Sequence, residues 1–300
     1  MKYFFSSLLV IIFSNNLLYG QTVVDLLVAY TSEANSYSGG AQLTVDIIEQ
    51  AIDDANTSFV NSSINVQYNL VRVGYLSYTE GGKTAEQIWA DFSTNSTIAN
   101  LRNEYNADLC FLAFGSSTAT GYGEIPPFDN PTSSTSDIGF AVANISRVDK
   151  IYSLAHELGH NFGARHDIDE DGAGDYNHGY IAPNGSWGTI MSYVNNPEEN
   201  RLNAWSNPNK YHLGIPMGNT DDANNALWLN EQKQDIANYR TPILSGTLTN
   251  NQTLSGRTFT LSGNITVPTG KTLKVLSSAT IELNSYYVKS TGGTITVSYT

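Results

Sequence analysis

The sequence is poor in cysteine, in positive charge and in long apolar runs. Its single cysteine among 300 residues is Cys110, so no disulfide can form within the chain. Lysine and arginine number 15 against 28 acidic residues, which gives a formal net charge of −13. A surface of that sign repels phosphate and argues against nucleic acid as the main partner. With 9 prolines and 25 glycines, the chain is neither collagen-like nor a proline-rich rod.

The N-terminus has the pattern of a secretory signal. Lys2 precedes an apolar run over residues 3–13, and Gly20 is a small residue at a suitable cleavage point. The run is short for a membrane span, and no later stretch reaches about 18 apolar residues. We therefore expect a signal peptide at residues 1–20, with a retained anchor as the alternative. The mature protein is expected to be secreted without a membrane span, and the lack of disulfides favours bacterial export.

Hydrophobic periodicity predicts alternating strands and helices before residue 115. We expect helices from residue 43 and over 84–105, with a weak patch at 93–97, and a loop over 31–40. Three runs have strand character and are expected at residues 23–30, 64–73 and 107–114. This order predicts an α/β (α+β) domain in which helices pack against a sheet. Cys110 lies inside the third strand and is expected to be a core residue.

Composition changes near residue 242. Residues 243–300 are dominated by threonine, serine, glycine and β-branched residues, and Leu-Ser-Gly recurs from Leu244, Leu254 and Leu261. This predicts a small all-β module, either a sandwich or a β-solenoid. The module has no catalytic constellation; it could bind glycan or the cell surface, or act as a spacer.

The segment AHELGHNFGARHD at residues 155–167 contains three of the five histidines. His156 and His160 are four residues apart, so a helix places both imidazoles on one face. Gly163 is suited to end that helix with a positive φ, after which the chain can turn back and bring His166 to the same ion. Three imidazoles with a fourth position for water indicate a catalytic zinc site.

Glu157 is expected to act on the water and not on the metal. Zinc lowers the pKa of bound water from about 15.7 to roughly 7. Glu157 can then accept its proton as general base and pass it to the leaving amine.

The segment at residues 155–167 resembles the zinc-binding motif of the metzincin metallopeptidases, whose second characteristic feature is a methionine-containing turn. The stretch GTIMSY at residues 188–193 fits that turn, and the resemblance implies that Met191 supports the zinc site without binding the metal. Within the clan the chain is most similar to reprolysin (adamalysin-like) members, above all to bacterial peptidases of the peptidyl-Asp metalloendopeptidase type. The resemblance implies a metzincin-like catalytic domain at residues 22–241, with a mixed sheet, an active-site helix and a cleft.

The resemblance also assigns roles around the zinc motif. It implies that Asp167, directly after the third histidine, is a structural carboxylate. Tyr193 stands where astacin-like members place an extra zinc ligand or oxyanion partner; a structural role is favoured here. An extended substrate is expected to pair with an edge strand within residues 122–142. A cysteine switch by Cys110 is not expected.

The acidic loop from Asp167 to Asp175 suggests a second metal site. Acidic side chains at alternate positions before Gly172 suit a calcium ion, but His178 stands where a bidentate glutamate is needed. A solvated acidic loop is the favoured alternative to calcium binding.

The sequence as a whole predicts a secreted zinc endopeptidase acting on proteins or peptides. The alternative is a catalytically silent zinc-binding protein with an adhesion or surface-binding role.

Overall fold

The computed structural model describes residues 21–115, 120–172 and 174–298. The signal peptide predicted at residues 1–20 lies outside them. Every helix in the described ranges is too short or too polar to cross a membrane.

The N-terminal part is built on a mixed five-stranded sheet in the order β2-β1-β3-β5-β4. Four strands are parallel, and the edge strand β4 runs antiparallel to β5. The strands are β1 (Thr22–Tyr30), β2 (Val66–Tyr75), β3 (Leu109–Phe114), β4 (Gly121–Gly123) and β5 (Phe140–Asn144). The near-continuous apolar sequence of β1 and β3 follows from their position, because a central parallel strand is covered on both faces.

Eight α-helices are present in the described residues. They are α1 (Ser32–Ser38), α2 (Ala41–Asn61), α3 (Ala85–Ser93), α4 (Ser96–Tyr105), α5 (Ser153–Asn161), α6 (Ile168–Asp171), α7 (Pro197–Asn200) and α8 (Asn225–Ile236). One face of the sheet packs on α2, α5 and α8 around Phe59, Leu158 and Trp205. The opposite face packs on α3 and α4. The result is the α/β domain with a mixed sheet that the sequence predicts.

The loop predicted at residues 31–40 is wrong, because α1 occupies most of it. The Thr31 hydroxyl accepts a hydrogen bond from the Ala34 N–H at 3.1 Å and caps the helix. Gly39 ends it with φ of 87°. The weak patch at residues 93–97 does separate two helices, and Asn95 caps the second through bonds from Thr97 and Ile98.

The C-terminal segment is all-β, with its own apolar cluster around Leu254, Ile265 and Leu273. A short antiparallel pair, β6 (Asn207–His212) and β7 (Ile215–Met217), precedes it in the chain. In the described residues the eight short strands of the segment are β8 (Gly246–Thr247), β9 (Gln252–Leu254), β10 (Thr258–Thr260), β11 (Ile265–Pro268), β12 (Thr272–Val275), β13 (Thr280–Glu282), β14 (Val288–Thr291) and β15 (Thr294–Val297). They pair in parallel as β8-β11-β14, β9-β12-β15 and β10-β13. Parallel ladders repeated in the same order are the arrangement of a solenoid, whereas a sandwich is built from antiparallel sheets.

The all-β segment rests against the α/β domain. The Arg257 guanidinium lies 2.8 Å from the Asp25 carboxylate of β1. The Thr253 hydroxyl donates to Glu104 at 3.1 Å. The predicted domain limits at residues 22–241 and 243–300 stay predictions.

Candidate metal centre

Helix α5 carries His156, Glu157 and His160, and all of its residues are buried. Gly159, between the two histidines, is enclosed by the core. A Cβ there would lie 2.7 Å from the Trp205 ring and 3.0 Å from the Met191 sulfur. Glycine at this position therefore lets α5 pack closely against Trp205 and Met191.

Gly163 reverses the chain after α5. Its φ is 85°, and a Cβ would lie 1.9 Å from the Asp129 carbonyl oxygen. The Gly163 N–H donates to the His160 carbonyl at 2.8 Å, and the Ala164 N–H donates to the Gly159 carbonyl at 3.0 Å. This compact helix end directs His166 back towards α5, as the sequence predicts.

The three histidines meet at one point. One ring nitrogen from each of His156, His160 and His166 lies within 4.8 Å of the other two. The Nε2 atoms of His160 and His166 are 3.1 Å apart. Two nitrogens bound tetrahedrally to one zinc ion at 2.0–2.1 Å are separated by roughly 3.4 Å, so the rings fit that ion.

Each ring is oriented by a bond at its other nitrogen. Nδ1 of His156 lies 2.8 Å from the Ile190 carbonyl oxygen, and Nδ1 of His160 lies 2.8 Å from that of Ala164. Nδ1 of His166 lies 3.0 Å from an Asp171 carboxylate oxygen. These acceptors hold the proton on Nδ1 and leave Nε2 free to bind a metal. Burial lowers the pKa of His160 to about 3 and that of His156 well below its usual value, so both rings stay neutral.

The methionine turn lies against this cluster. Met191 is fully buried. The backbone of Tyr193 is tied to the zinc motif, because its N–H donates to the Asp167 carboxylate at 2.7 Å. Asp167 thus joins the chain after the third histidine to the turn.

Tyr193 lies at the metal centre itself. Its ring centroid is 4.4 Å from that of His166 and 6.3 Å from that of His156. Burial raises the pKa of its hydroxyl, which stays neutral near pH 7. These contacts are compatible with a packing role, and that role stays a prediction.

Glu157 is enclosed beneath the edge strand β4. A Cβ at Gly121 would lie 2.3 Å from its Oε1, and one at Gly123 would lie 2.0 Å from its carbonyl oxygen. Burial raises the pKa of Glu157 to about 8, while the charge of Arg201 works in the opposite direction. A carboxyl group whose pKa is raised towards neutrality is suited to accept and return a proton.

A cavity of about 530 Å³ opens over the histidines and Glu157. One side is formed by β4. Three arginines also line it, namely Arg147, Arg165 and Arg201. The cavity is therefore large enough for a peptide segment, and its charged lining is mixed, because Glu124, Glu157 and Asp171 line it as well.

The structure does not support calcium in the acidic loop. Asp171 accepts hydrogen bonds from both the ring and the backbone N–H of His166. Asp167 is held by Tyr193. Among the described residues, the histidine triad is the sole group of three or more His, Cys, Asp or Glu side chains close enough to share an ion.

Sequence reasoning missed three contributors to the site. Asp171 is expected from the sequence only as part of a solvated acidic loop, with calcium binding as the alternative, yet its carboxylate orients the His166 ring from five residues along the chain. Gly121 and Arg201 carry no local motif, because their roles arise from contacts with α5 across the fold.

Comparison with known proteins agrees with this geometry. Residues 20–206 match Metallo-peptidase family M12 (Reprolysin_5). This chain belongs to metallopeptidase family M12. The chain is 34% identical over 226 residues to a protein from Xanthomonas campestris pv. campestris named peptidyl-Asp metalloendopeptidase, covering 73% of this chain and 52% of that protein. A protein of the same name from Stenotrophomonas maltophilia is 32% identical over 229 residues, covering 73% and 53%.

The chain thus spans about half the length of the curated M12 relatives that it matches. Among solved structures, it resembles a chain in a chaperone–substrate complex with a TM-score of 0.58 and 20% identity. The match covers 74% of this chain and 40% of that one. At that identity the likeness concerns the fold alone.

Proposed function

We propose that this M12 family member is a zinc-dependent endopeptidase. The observation that carries the proposal is the convergence of His156, His160 and His166 beside Glu157 in an open cavity. The names of the bacterial relatives support the same reaction class.

A zinc ion held by the three Nε2 atoms would act as a Lewis acid towards the substrate carbonyl and would acidify a water molecule. Glu157 would act as the general base, taking a proton from the attacking water and delivering it to the leaving amine. Burial raises its pKa to about 8, which favours both halves of that transfer. Met191 and Asp167 keep the surrounding turn in place.

The substrate backbone is proposed to add to the open edge of β4. Among the described residues that strand pairs with β5 alone, which leaves its other edge free for an extended peptide. Of the range 122–142 expected from the sequence, only residues 122 and 123 belong to the edge strand; β5 is interior to the sheet. The glycines of β4 let the peptide lie close to Glu157.

We also propose that the protein cleaves next to aspartate and that it is exported. The first proposal rests on the names of the bacterial relatives and on the presence of arginine side chains in the lining of the cavity. The second rests on the signal-like residues 1–20.

Hydrolysis of an unlabelled protein such as casein, followed by mass spectrometry of the products, tests the activity. We expect cleavage with zinc, loss on chelation and recovery when zinc is returned. Glu157→Gln should lower kcat by about 10²–10⁴-fold while zinc still binds. The exposed Glu170→Gln, on the loop after the third histidine, is the matched control and should keep full activity.

A catalytically silent zinc protein predicts the opposite result. It would bind zinc and cleave nothing in a broad peptide library. The enclosed Glu157 and the open cavity argue against this alternative, since a site that only binds zinc structurally needs neither.

A further inference from the structure

Arg201 is a largely buried arginine without an acidic partner. It follows α7, and none of the ion pairs among the described residues includes it. Its Nη1 donates to the Ile151 carbonyl at 3.1 Å and its Nη2 to the Ser192 carbonyl at 2.6 Å. Its Nε is buried and has no hydrogen-bond partner among the described residues.

The guanidinium is therefore fixed in orientation, but some of its N–H groups have no hydrogen-bond acceptor among the described residues. It has five N–H groups, of which two are engaged by backbone carbonyls. Carbonyl oxygens hold its orientation without neutralising its charge. Removing an arginine from water without a counter-charge is costly, and burial accordingly lowers its pKa. A site that keeps such a charge is suited to a ligand that supplies the missing carboxylate.

Arg201 lies where a substrate carboxylate could reach it. It lines the same cavity as His156 and Glu157, and its charge acts on the pKa of both groups. Glu157 does not satisfy it, since the two form no ion pair. A carboxylate reaching Arg201 from a substrate would thus lie close to the reacting centre.

The other two arginines of the cavity differ from Arg201. Arg165 is neutralised by Asp129, with nitrogen-to-oxygen distances of 2.6 Å and 2.7 Å. Among the described residues, the Arg147 side chain forms no hydrogen bond and no ion pair. Among the three, Arg201 alone is held by two carbonyl oxygens while forming no ion pair with any described residue, which suits it to selective recognition of a carboxylate.

We propose that Arg201 is the specificity-determining residue that binds the acidic side chain flanking the scissile bond. This deepens the proposed peptidase function and rests on it. The planar guanidinium can hydrogen-bond and neutralise a carboxylate, whereas the uncharged amide of asparagine cannot neutralise it.

The test compares two peptides that differ only in Asp or Asn beside the cleavage site. The enzymes are the full-length zinc-loaded protein and its Arg201→Met, Arg201→Lys and Arg147→Met variants. We expect Arg201→Met to lower kcat/KM for the Asp peptide by at least about 30-fold and to change that for the Asn peptide little. Arg201→Lys should restore part of the Asp preference, and Arg147→Met should keep it.

A merely structural role for Arg201 gives a different result. Loss of its bonds to Ile151 and Ser192 would lower the rates for both peptides together and leave their ratio unchanged, which would overturn the proposal. Loss of the ratio in Arg147→Met but not in Arg201→Met would overturn it as well. Circular dichroism and bound zinc identify any variant that fails to fold, and Arg201→Lys then takes the place of Arg201→Met.

Measurements of peptide binding distinguish a failure of this inference from a failure of the proposed peptidase function. In the Glu157→Gln background, calorimetry measures the affinity of the intact Asp and Asn peptides. Tighter binding of the Asp peptide that Arg201→Met abolishes supports the inference even if the wild-type protein cleaves nothing. Equal binding of the two peptides would overturn it, even if the wild-type protein proves to be a peptidase.

Discussion

The Asp171 carboxylate holds His166 at two points. One oxygen lies 3.0 Å from Nδ1 of the ring and the other accepts the backbone N–H at 2.9 Å. His156 and His160 are oriented by neutral carbonyls, so His166 is the one histidine of the triad with an anionic partner. A carboxylate in this place raises the basicity of the ligand and fixes the ring on a loop that α5 does not support.

Replacing Asp171 should therefore weaken the metal site. We expect Asp171→Ala to lower zinc affinity by about 10–100-fold, measured by competition with a chromophoric chelator. The neighbouring Asp169 is exposed, and Asp169→Ala controls for the loss of one negative charge in the same loop. Equal affinities in the two variants would contradict the role assigned to Asp171.

The edge strand offers a second test, because it leaves no room for a side chain above Glu157. In Gly121→Ala the new methyl group would meet Oε1, whose carboxyl must then move. We expect kcat to fall by at least about tenfold, since small displacements of a reacting group are costly. Zinc content should be unchanged.

Gly74→Ala provides the matched control for this substitution. Gly74 lies in the same sheet, and the nearest atoms to a Cβ there belong to the flexible end of Arg72. This variant should keep normal kinetics. If Gly121→Ala hydrolyses peptides as fast as Gly74→Ala, the position of Glu157 beneath β4 does not matter to the reaction.

The convergence of the three histidines could be predicted from the sequence because the segment that carries them is local. The spacing of His156 and His160 on one helix and the turn at Gly163 are encoded within eleven residues. The alternating pattern of the first 115 residues predicted the layered α/β fold for the same reason. Helix α1 was missed because it is short and polar, and only its Thr31 cap and Gly39 end signal it.

Arg201 and β4 could not be predicted in this way. Arg201 acts through carbonyls of Ile151 and Ser192, which the sequence does not connect to it. The sequence does not distinguish a sandwich from a solenoid in the C-terminal segment, since irregular short strands with Leu-Ser-Gly repeats suit both. Strand pairing and the contacts of Arg201 join distant segments of the chain, and local periodicity does not predict such contacts.

The junction between the two parts of the chain depends on a second buried charge. The Asp25 side chain is 3% exposed and its partner Arg257 is 32% exposed. Arg257→Met leaves Asp25 buried without its counter-charge. We expect a loss of about 1–3 kcal/mol in the free energy of unfolding by urea, below the cost of a fully buried pair because Arg257 is partly in water.

An exposed ion pair serves as the control for that loss. Lys83 and Asp91 lie 2.8 Å apart with both side chains well exposed. Lys83→Met should cost at most about 1 kcal/mol. Adding Asp25→Asn to Arg257→Met should recover part of the lost stability; no recovery would show that Arg257 acts through packing on Phe259 and not through charge.

Asp108 predicts how the stability of the same region depends on pH. It accepts backbone N–H bonds from Asp25 at 2.9 Å and Arg240 at 3.0 Å. Burial raises its pKa to about 8 from 3.8. Below pH 4 the Asp108 carboxyl is protonated in both the folded and the unfolded chain. Between about pH 4 and 8 it is ionised in the unfolded chain but still protonated in the folded chain. The unfolded chain therefore becomes more favourable as pH rises through this window, and the free energy of unfolding falls by up to about 1.4 kcal/mol per pH unit for one proton.

Asp108→Asn removes this titration, although one of the two backbone bonds loses its acceptor. We expect the variant to be less stable than the wild type at pH 5 and to lose less stability between pH 5 and pH 8. Urea unfolding at both values measures the two slopes. Glu157 has a pKa raised in the same direction and contributes equally to both proteins, so the difference between the slopes isolates Asp108. Parallel slopes would mean that Asp108 is already ionised in the folded protein at pH 5.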